Sequence, residues 1–105
     1  MVYRIVKHPL IDRDIYEIAD LVASYSGLAI GLAKTNEIVQ VIDDLAYFPH
    51  IGSLRHELLP GLRAIPAGEK GVVCFTVDDR DQSVFIICVT YAGADWMARV
   101  KEREE

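Results

Sequence analysis

Two runs, "VVCFTVD" (Val72 to Asp78) and "SVFIICVTY" (Ser83 to Tyr91), limit most strongly how this chain can fold. Both are rich in β-branched and aromatic residues, and the polar stretch "DRDQ" parts them, so they read as the arms of a β-hairpin. If that loop is centred on Asp81, residues equidistant from it face each other and alternation assigns every side chain to a face. One face then carries Val73, Phe75, Val77, Phe85, Ile87 and Val89; it is wholly apolar and must cover the helices. The other carries Val72, Cys74, Thr76, Asp78, Val84, Ile86, Cys88 and Thr90, which is at least half apolar with nothing else in the chain left to cover it. Such a face is expected to meet a partner. The opposing reading is an ordinary surface, since folded surfaces are normally more than half apolar.

The remaining elements follow from period and punctuation. Val2 to Lys7 alternates and is stopped by His8-Pro9, which makes it a first strand. From Ile11 the residues Ile15, Ile18, Ala19 and Val22 continue a helical stripe, with Asp12 and Asp14 near the positive end of the helix dipole. That helix ends around "SYSG". A second helical segment runs from Leu28 through Leu32, Ile38, Ile42, Leu45 and Phe48 to Pro49 and Gly52, and the short link makes the two an antiparallel hairpin. The run "LRAIP" adds a strand, and Trp96 to Glu105 is a candidate short terminal helix with frayed structure as its alternative. The order β-α-α-β-β-β predicts a two-layer α+β domain over residues 1–105, with a helical hairpin on a mostly antiparallel four-stranded sheet.

At 105 residues the chain has room for one core, and 51% hydrophobic residues are ample to build it. A net charge of −5 argues against a protein that coats nucleic acid, because phosphate binding rests on clustered Lys and Arg. Cys74 and Cys88 lie in apolar runs without a CxxC spacing and read as buried free thiols. There is no secretion-signal pattern, and no apolar run approaches the ~20 residues that span a bilayer, so a soluble, cytoplasmic protein without membrane contact is expected. His8, His50 and His56 have no ligand set at metal spacing, and Asp43-Asp44 diverge by about 100° on a helix; neither a metal nor a cofactor is expected.

The segment "LPGLRAIPAGEK" frames one arginine, Arg63, between the breaks Pro60-Gly61 and Pro66-Ala67-Gly68. Together with "PHIGSLRHELLPGLR" and "VTYAGAD", in this order and after a strand and a helical hairpin, it resembles the RelE/ParE superfamily of toxins from bacterial toxin-antitoxin systems, the ParE branch above all. The likeness spans nearly the whole chain, although each motif alone is weak. It implies that Arg63 projects from a strand as a fixed charge and planar donor fork for an anion or a partner. The structural alternative is a salt bridge to Glu57 or Asp95.

The branch decides what the resemblance implies for activity. ParE-like toxins poison DNA gyrase by binding it, with Arg63, Tyr91, Asp95 and Trp96 as the corresponding target-contact candidates; a tryptophan placed like Trp96 is more often a lid over the core. RelE-like toxins cut messenger RNA on the ribosome, for which only Arg63, Lys70 and Tyr91 are available here. The chain departs from that pattern, with Lys70-Gly71 where Tyr-Arg is usual, Cys74-Phe75 where an aromatic-basic pair is common, and Tyr91, Gly93, Ala94 and Asp95 at the ending. The thin cationic set favours the gyrase-directed reading, keeps catalytic residues open and leaves an inactive binding module as a further alternative. The resemblance also implies a ParD-like antitoxin. Its expected seat is the half-apolar sheet face at Val72, Cys74, Val84, Ile86 and Cys88, or the groove between that face and the helical hairpin. No sequence-specific contact with nucleic acid is expected.

Overall fold

The computed structural model describes residues 2–104. In chain order its elements are β1 (Arg4–Lys7), α1 (Ile11–Ser26), α2 (Leu28–Asp44), β2 (Ser53–Leu54), β3 (Arg63–Ala67), β4 (Gly71–Asp78), β5 (Ser83–Tyr91) and α3 (Trp96–Glu104). The α+β class and the helical hairpin are as expected. The sheet is larger: five strands in the order β1-β5-β4-β3-β2, with β1 parallel to β5 and the other pairs antiparallel. The strand the sequence hid is β2. Two residues cannot show an alternating pattern, and they pair because Gly52, at φ 84°, brings the chain against Ala64, where a Cβ would stand 2.7 Å from the carbonyl oxygen.

The helical hairpin buries a different stripe from the one its leucines suggest. On α2 the buried residues are Gly31, Thr35, Ile38 and Ile42, whereas Leu28 and Leu32 lie open to solvent, and Phe48 lies beyond the helix and is exposed. Close approach is the reason. A Cβ on Gly31 would sit 2.7 Å from the Ala19 carbonyl of α1, so the helices touch through their smallest residue and the larger ones are turned outward. Residues 24–30 at the hairpin tip are exposed throughout.

The β-hairpin carries a bulge that strict alternation does not anticipate. From Gly71↔Tyr91 to Cys74↔Cys88 the register is that of a loop centred on Asp81, but the next pair is Phe75↔Ile86, leaving Ile87 without a partner. Every face assignment between Ile87 and the turn is therefore reversed. Val84 and Ile86, expected on the open face as antitoxin contacts, are fully buried under the helices with Val73, Phe75 and Val89. Phe85, expected inside, is 36% exposed, and Ile87 joins the opposite face.

That opposite face is covered by the chain itself. Leu62, Ala64, Cys74, Ile87, Cys88 and Val100 form a second core, edged by Leu58, Leu59, Val72 and Trp96. The domain thus has a third layer made of α3 and the segment before β3. Cys74 and Cys88 do lie on the expected face but have 0% exposure, and Val72 is half-buried, so none of the expected antitoxin contacts presents an open surface while α3 is docked.

One buried carboxylate fastens that layer. Asp14 of α1 is 3% exposed and accepts hydrogen bonds from Val89 N (3.0 Å), from Arg99 (3.2 Å) and, with both oxygens, from the Arg103 fork (2.6 Å each). Arg103 also donates to the Ile87 carbonyl at 2.9 Å. Pairing of β1 with β5 ends at Ile86, so past that point Asp14 and Arg103 take peptide groups that no strand reaches.

Two substitutions test this arrangement. Ile86→Lys should cost more than about 4 kcal/mol or prevent folding, because it forces an unpaired charge into the main core, whereas Phe85→Lys should stay within about 1 kcal/mol. Urea unfolding of both variants reads the difference; equal costs would mean that there is no bulge. Asp14→Asn should destabilise by about 3–5 kcal/mol, since it leaves Arg103 buried without a countercharge.

Candidate functional site

The residues singled out in the sequence lie at two places along the sheet. Arg63 opens β3, opposite Phe75 of β4 and Leu54 of β2, and is half-buried. Tyr91 closes β5 opposite Gly71, next to Lys70 in the turn before β4. Between the Gly71 and Phe75 positions the strand advances by about 13 Å, so Arg63, Lys70 and Tyr91 do not converge on one small substrate. Asp95 and Trp96 follow Tyr91 at the start of α3. Asp95 caps that helix, its carboxylate accepting Ala98 N at 3.1 Å. Trp96 packs against the second core with the Arg55 guanidinium 5.1 Å above its ring, so it is a lid as well as a partly open aromatic surface.

Arg63 makes neither salt bridge offered as its structural alternative. Glu57 pairs with Arg55 at 2.6 Å, Asp95 is turned to its own helix, and among the described residues Arg63 donates only a long bond of 3.4 Å to the Ile51 carbonyl. Its charge adds the smallest of the contributions that lower the Asp79 carboxyl. Asp79 lies in the turn between β4 and β5 and one of its oxygens accepts from the Tyr3 hydroxyl (2.7 Å) and meets His50 Nε2 (2.6 Å). The Tyr3 and His50 rings stand edge to face at 5.9 Å. Hydrogen bonds from Tyr3, then His50, hold the Asp79 carboxyl below its ordinary 3.8, and the bond to Asp79 raises Tyr3 above its ordinary 10.0.

This exposed knot joins the start of β1, the segment after α2 and the hairpin turn. Sequence reasoning missed it because its members are distant in the chain and no spacing links them. Around it Tyr47, Phe48, Ile51 and Leu54 are exposed, so an arginine and a histidine stand within an aromatic and apolar surface. That mix suits protein contact.

A groove of about 340 Å³ runs between α1 and α3, lined by His8, Arg13, Glu17, Arg99, Glu102 and Arg103. Its charges are largely used internally: Arg13 pairs with Glu17 at 3.0 Å, Arg99 approaches Glu102 at 3.9 Å, and Arg103 is held by Asp14. Asp14, read in the sequence only as a dipole-favourable acid, is the residue here whose importance reasoning undervalued. A signal existed, since Asp14 lies on the stripe of Ile11, Ile18 and Val22 and a carboxylate there must find a partner. Among the described residues no group of three or more His, Cys, Asp or Glu is placed to hold a metal ion.

The sequence matches, over residues 5–96, the family described as the ParE toxin of type II toxin-antitoxin systems, parDE. Among solved structures, the chromosomal ParDE toxin-antitoxin system of P. aeruginosa superposes with a TM-score of 0.73 at 17% identity, over 87% of this chain and 97% of the other. A free-state double mutant of the E. coli toxin RelE gives 0.64 at 19% identity, over 98% of each chain. The RelBE2 toxin-antitoxin complex of Mycobacterium tuberculosis gives 0.62 at 17%, over 88% and 100%. No curated protein matches in sequence.

The knot at Asp79 should be visible in acid. Because its folded value is depressed, Asp79 contributes stability above its ordinary 3.8, and that contribution is lost as pH falls through the lower folded value. Urea midpoints measured between about pH 5 and pH 2 should fall more steeply for the wild type than for Asp79→Asn. Parallel profiles would show that the knot does not hold in solution.

Proposed function

The chain belongs to the ParE toxin family of type II toxin-antitoxin systems, and from that premise we propose that it arrests growth by binding and poisoning DNA gyrase in the cytoplasm, with a ParD-like antitoxin as its neutralising partner. The observation that carries the binding reading is the separation of Arg63 from Lys70 and Tyr91. Cleaving a phosphodiester needs cations and an acid-base group around one phosphate, and Arg63 is set about 13 Å along the sheet from the other two. Binding needs only shape and an anchor. Arg63, with no ion pair of its own among the described residues, and the exposed aromatic surface beside it are such an anchor.

The antitoxin's seat moves with the correction of the sheet faces. The hairpin tip carries Leu21, Tyr25, Leu28 and Leu32, all exposed, on helices whose small residues already satisfy the contact between them. A segment that orders on binding must bury a large apolar area to offset its lost entropy. Covering roughly 200 Å² of such surface contributes on the order of 5 kcal/mol before ordering costs.

A ribosome-dependent nuclease is the second reading, favoured by the meeting of Tyr3 and His50 on one oxygen of Asp79, which gathers acid-base groups at one exposed point.

With purified protein, gyrase should lose supercoiling activity and accumulate cleaved DNA. Unaffected gyrase together with cleavage of ribosome-bound messenger RNA would establish the second reading. Arg63→Ala should lower toxicity while shifting stability by less than about 1 kcal/mol. A Tyr25→Asp, Leu28→Asp double variant should stay folded and toxic but bind antitoxin at least about tenfold more weakly, the equivalent of one lost apolar anchor; unchanged affinity would place the antitoxin elsewhere.

A further inference from the structure

The buried stripe of each hairpin helix runs out before the helix does. On α1 the buried positions are Ile11, Asp14, Ile18 and Val22, and the next step of that spacing is Tyr25. On α2, read toward the tip, they are Ile42, Ile38, Thr35 and Gly31, and the next step is Leu28. Tyr25 and Leu28 are nevertheless 59% and 67% exposed, so both stripes continue as uncovered side chains. Leu21, Ile30 and Leu32 beside them are exposed too. Between Asp20 and Lys34 no residue carries a charge. We propose that the free chain pairs with a second copy of itself, tip overlapping tip, as a weak and reversible dimer.

Charge selects this partner. At a net charge of −5 two copies repel each other, and an encounter is least opposed where neither presents a charge. A two-fold pair brings the same patch of each copy together, which a patch of one sign resists and an uncharged one permits. Ser24, Ser26, Gly27 and Ala29 are small and exposed, so two tips can approach closely between their larger side chains. The tight contact of Gly31 with Ala19 and Ala23 holds α1 and α2 together there, and the tip presents one surface. A lipid surface is a poorer match, since binding to it draws on Lys and Arg that this stretch lacks.

Area sets the strength. Large side chains that are about half exposed leave, over Leu21, Tyr25, Leu28, Ile30 and Leu32, on the order of 400 Å² per copy. Covering that on both copies removes roughly 800 Å² in total, short of the ~1,200 Å² at which standard stable interfaces begin. The pair is therefore transient and needs micromolar concentrations to form. Where the antitoxin seats on the same tip, dimer and complex exclude each other. That consequence rests on the proposed seat of the antitoxin, whereas the pairing itself does not.

Sedimentation equilibrium of the full chain without antitoxin, from about 1 to 300 µM, tests the pairing apart from any antitoxin. The wild type should pass reversibly from monomer to dimer within that range. Leu28→Asp and Tyr25→Asp, with circular dichroism unchanged, should each weaken pairing about tenfold or more, since each brings like charges together across the two-fold contact. Tyr16→Asp, at an exposed position of α1 outside the uncharged stretch, and Tyr47→Asp, near the Asp79 knot, should pair as the wild type does. Raising salt from about 0.05 to 0.5 M should not weaken pairing, because it screens the like net charges and the contact holds no ion pair. The proposal fails if the wild type stays monomeric throughout, if it grows past the dimer, if the tip variants still pair normally, if Tyr16→Asp or Tyr47→Asp abolishes pairing, or if salt loosens it.

Discussion

The structure depends on how one carboxylate is satisfied. Asp14 is removed from water on the buried face of α1, and an isolated ion there would be prohibitively costly. Four donors meet it: a peptide N–H of β5, Arg99 and both arms of Arg103. Because these come from a central strand and the last helix, satisfying Asp14 decides where α3 lies. The position of α3 in turn determines that the second sheet face is an interior and not a surface.

The bulge at Ile87 belongs to the same solution. It rotates the strand so that Ile86 enters the helix-side core while Ile87 turns to the other face, and the Ile87 carbonyl accepts from Arg103. An ion pair, a bulge and a terminal helix therefore act as a unit. Cys74 and Cys88 are enclosed by it, opposite each other and without exposure.

Function follows from what this enclosure leaves outside. With one sheet face under the helical hairpin and the other under α3, the hairpin tip and the edge around the Asp79 knot are among the surfaces left open. Both mix exposed apolar side chains with polar ones, and they lie on different elements.

The sequence alone determined the helical hairpin, the long β-hairpin, the α+β class and the family, because these rest on local periodicity, turn residues and motif order. Its reading of β1, α1, β3, β4 and β5 holds to within a few residues at each boundary. What it could not decide were quantities set between distant segments. A two-residue strand has no period, a bulge leaves composition unchanged while reversing faces, and Gly31 beats Leu28 and Leu32 for the helix contact only because two backbones must approach closely. Tyr3, His50 and Asp79 become neighbours only after the sheet has formed. Whether an apolar face needs a partner was decided by the tertiary structure alone, since it depends on where a charged terminal helix finds its one buried countercharge.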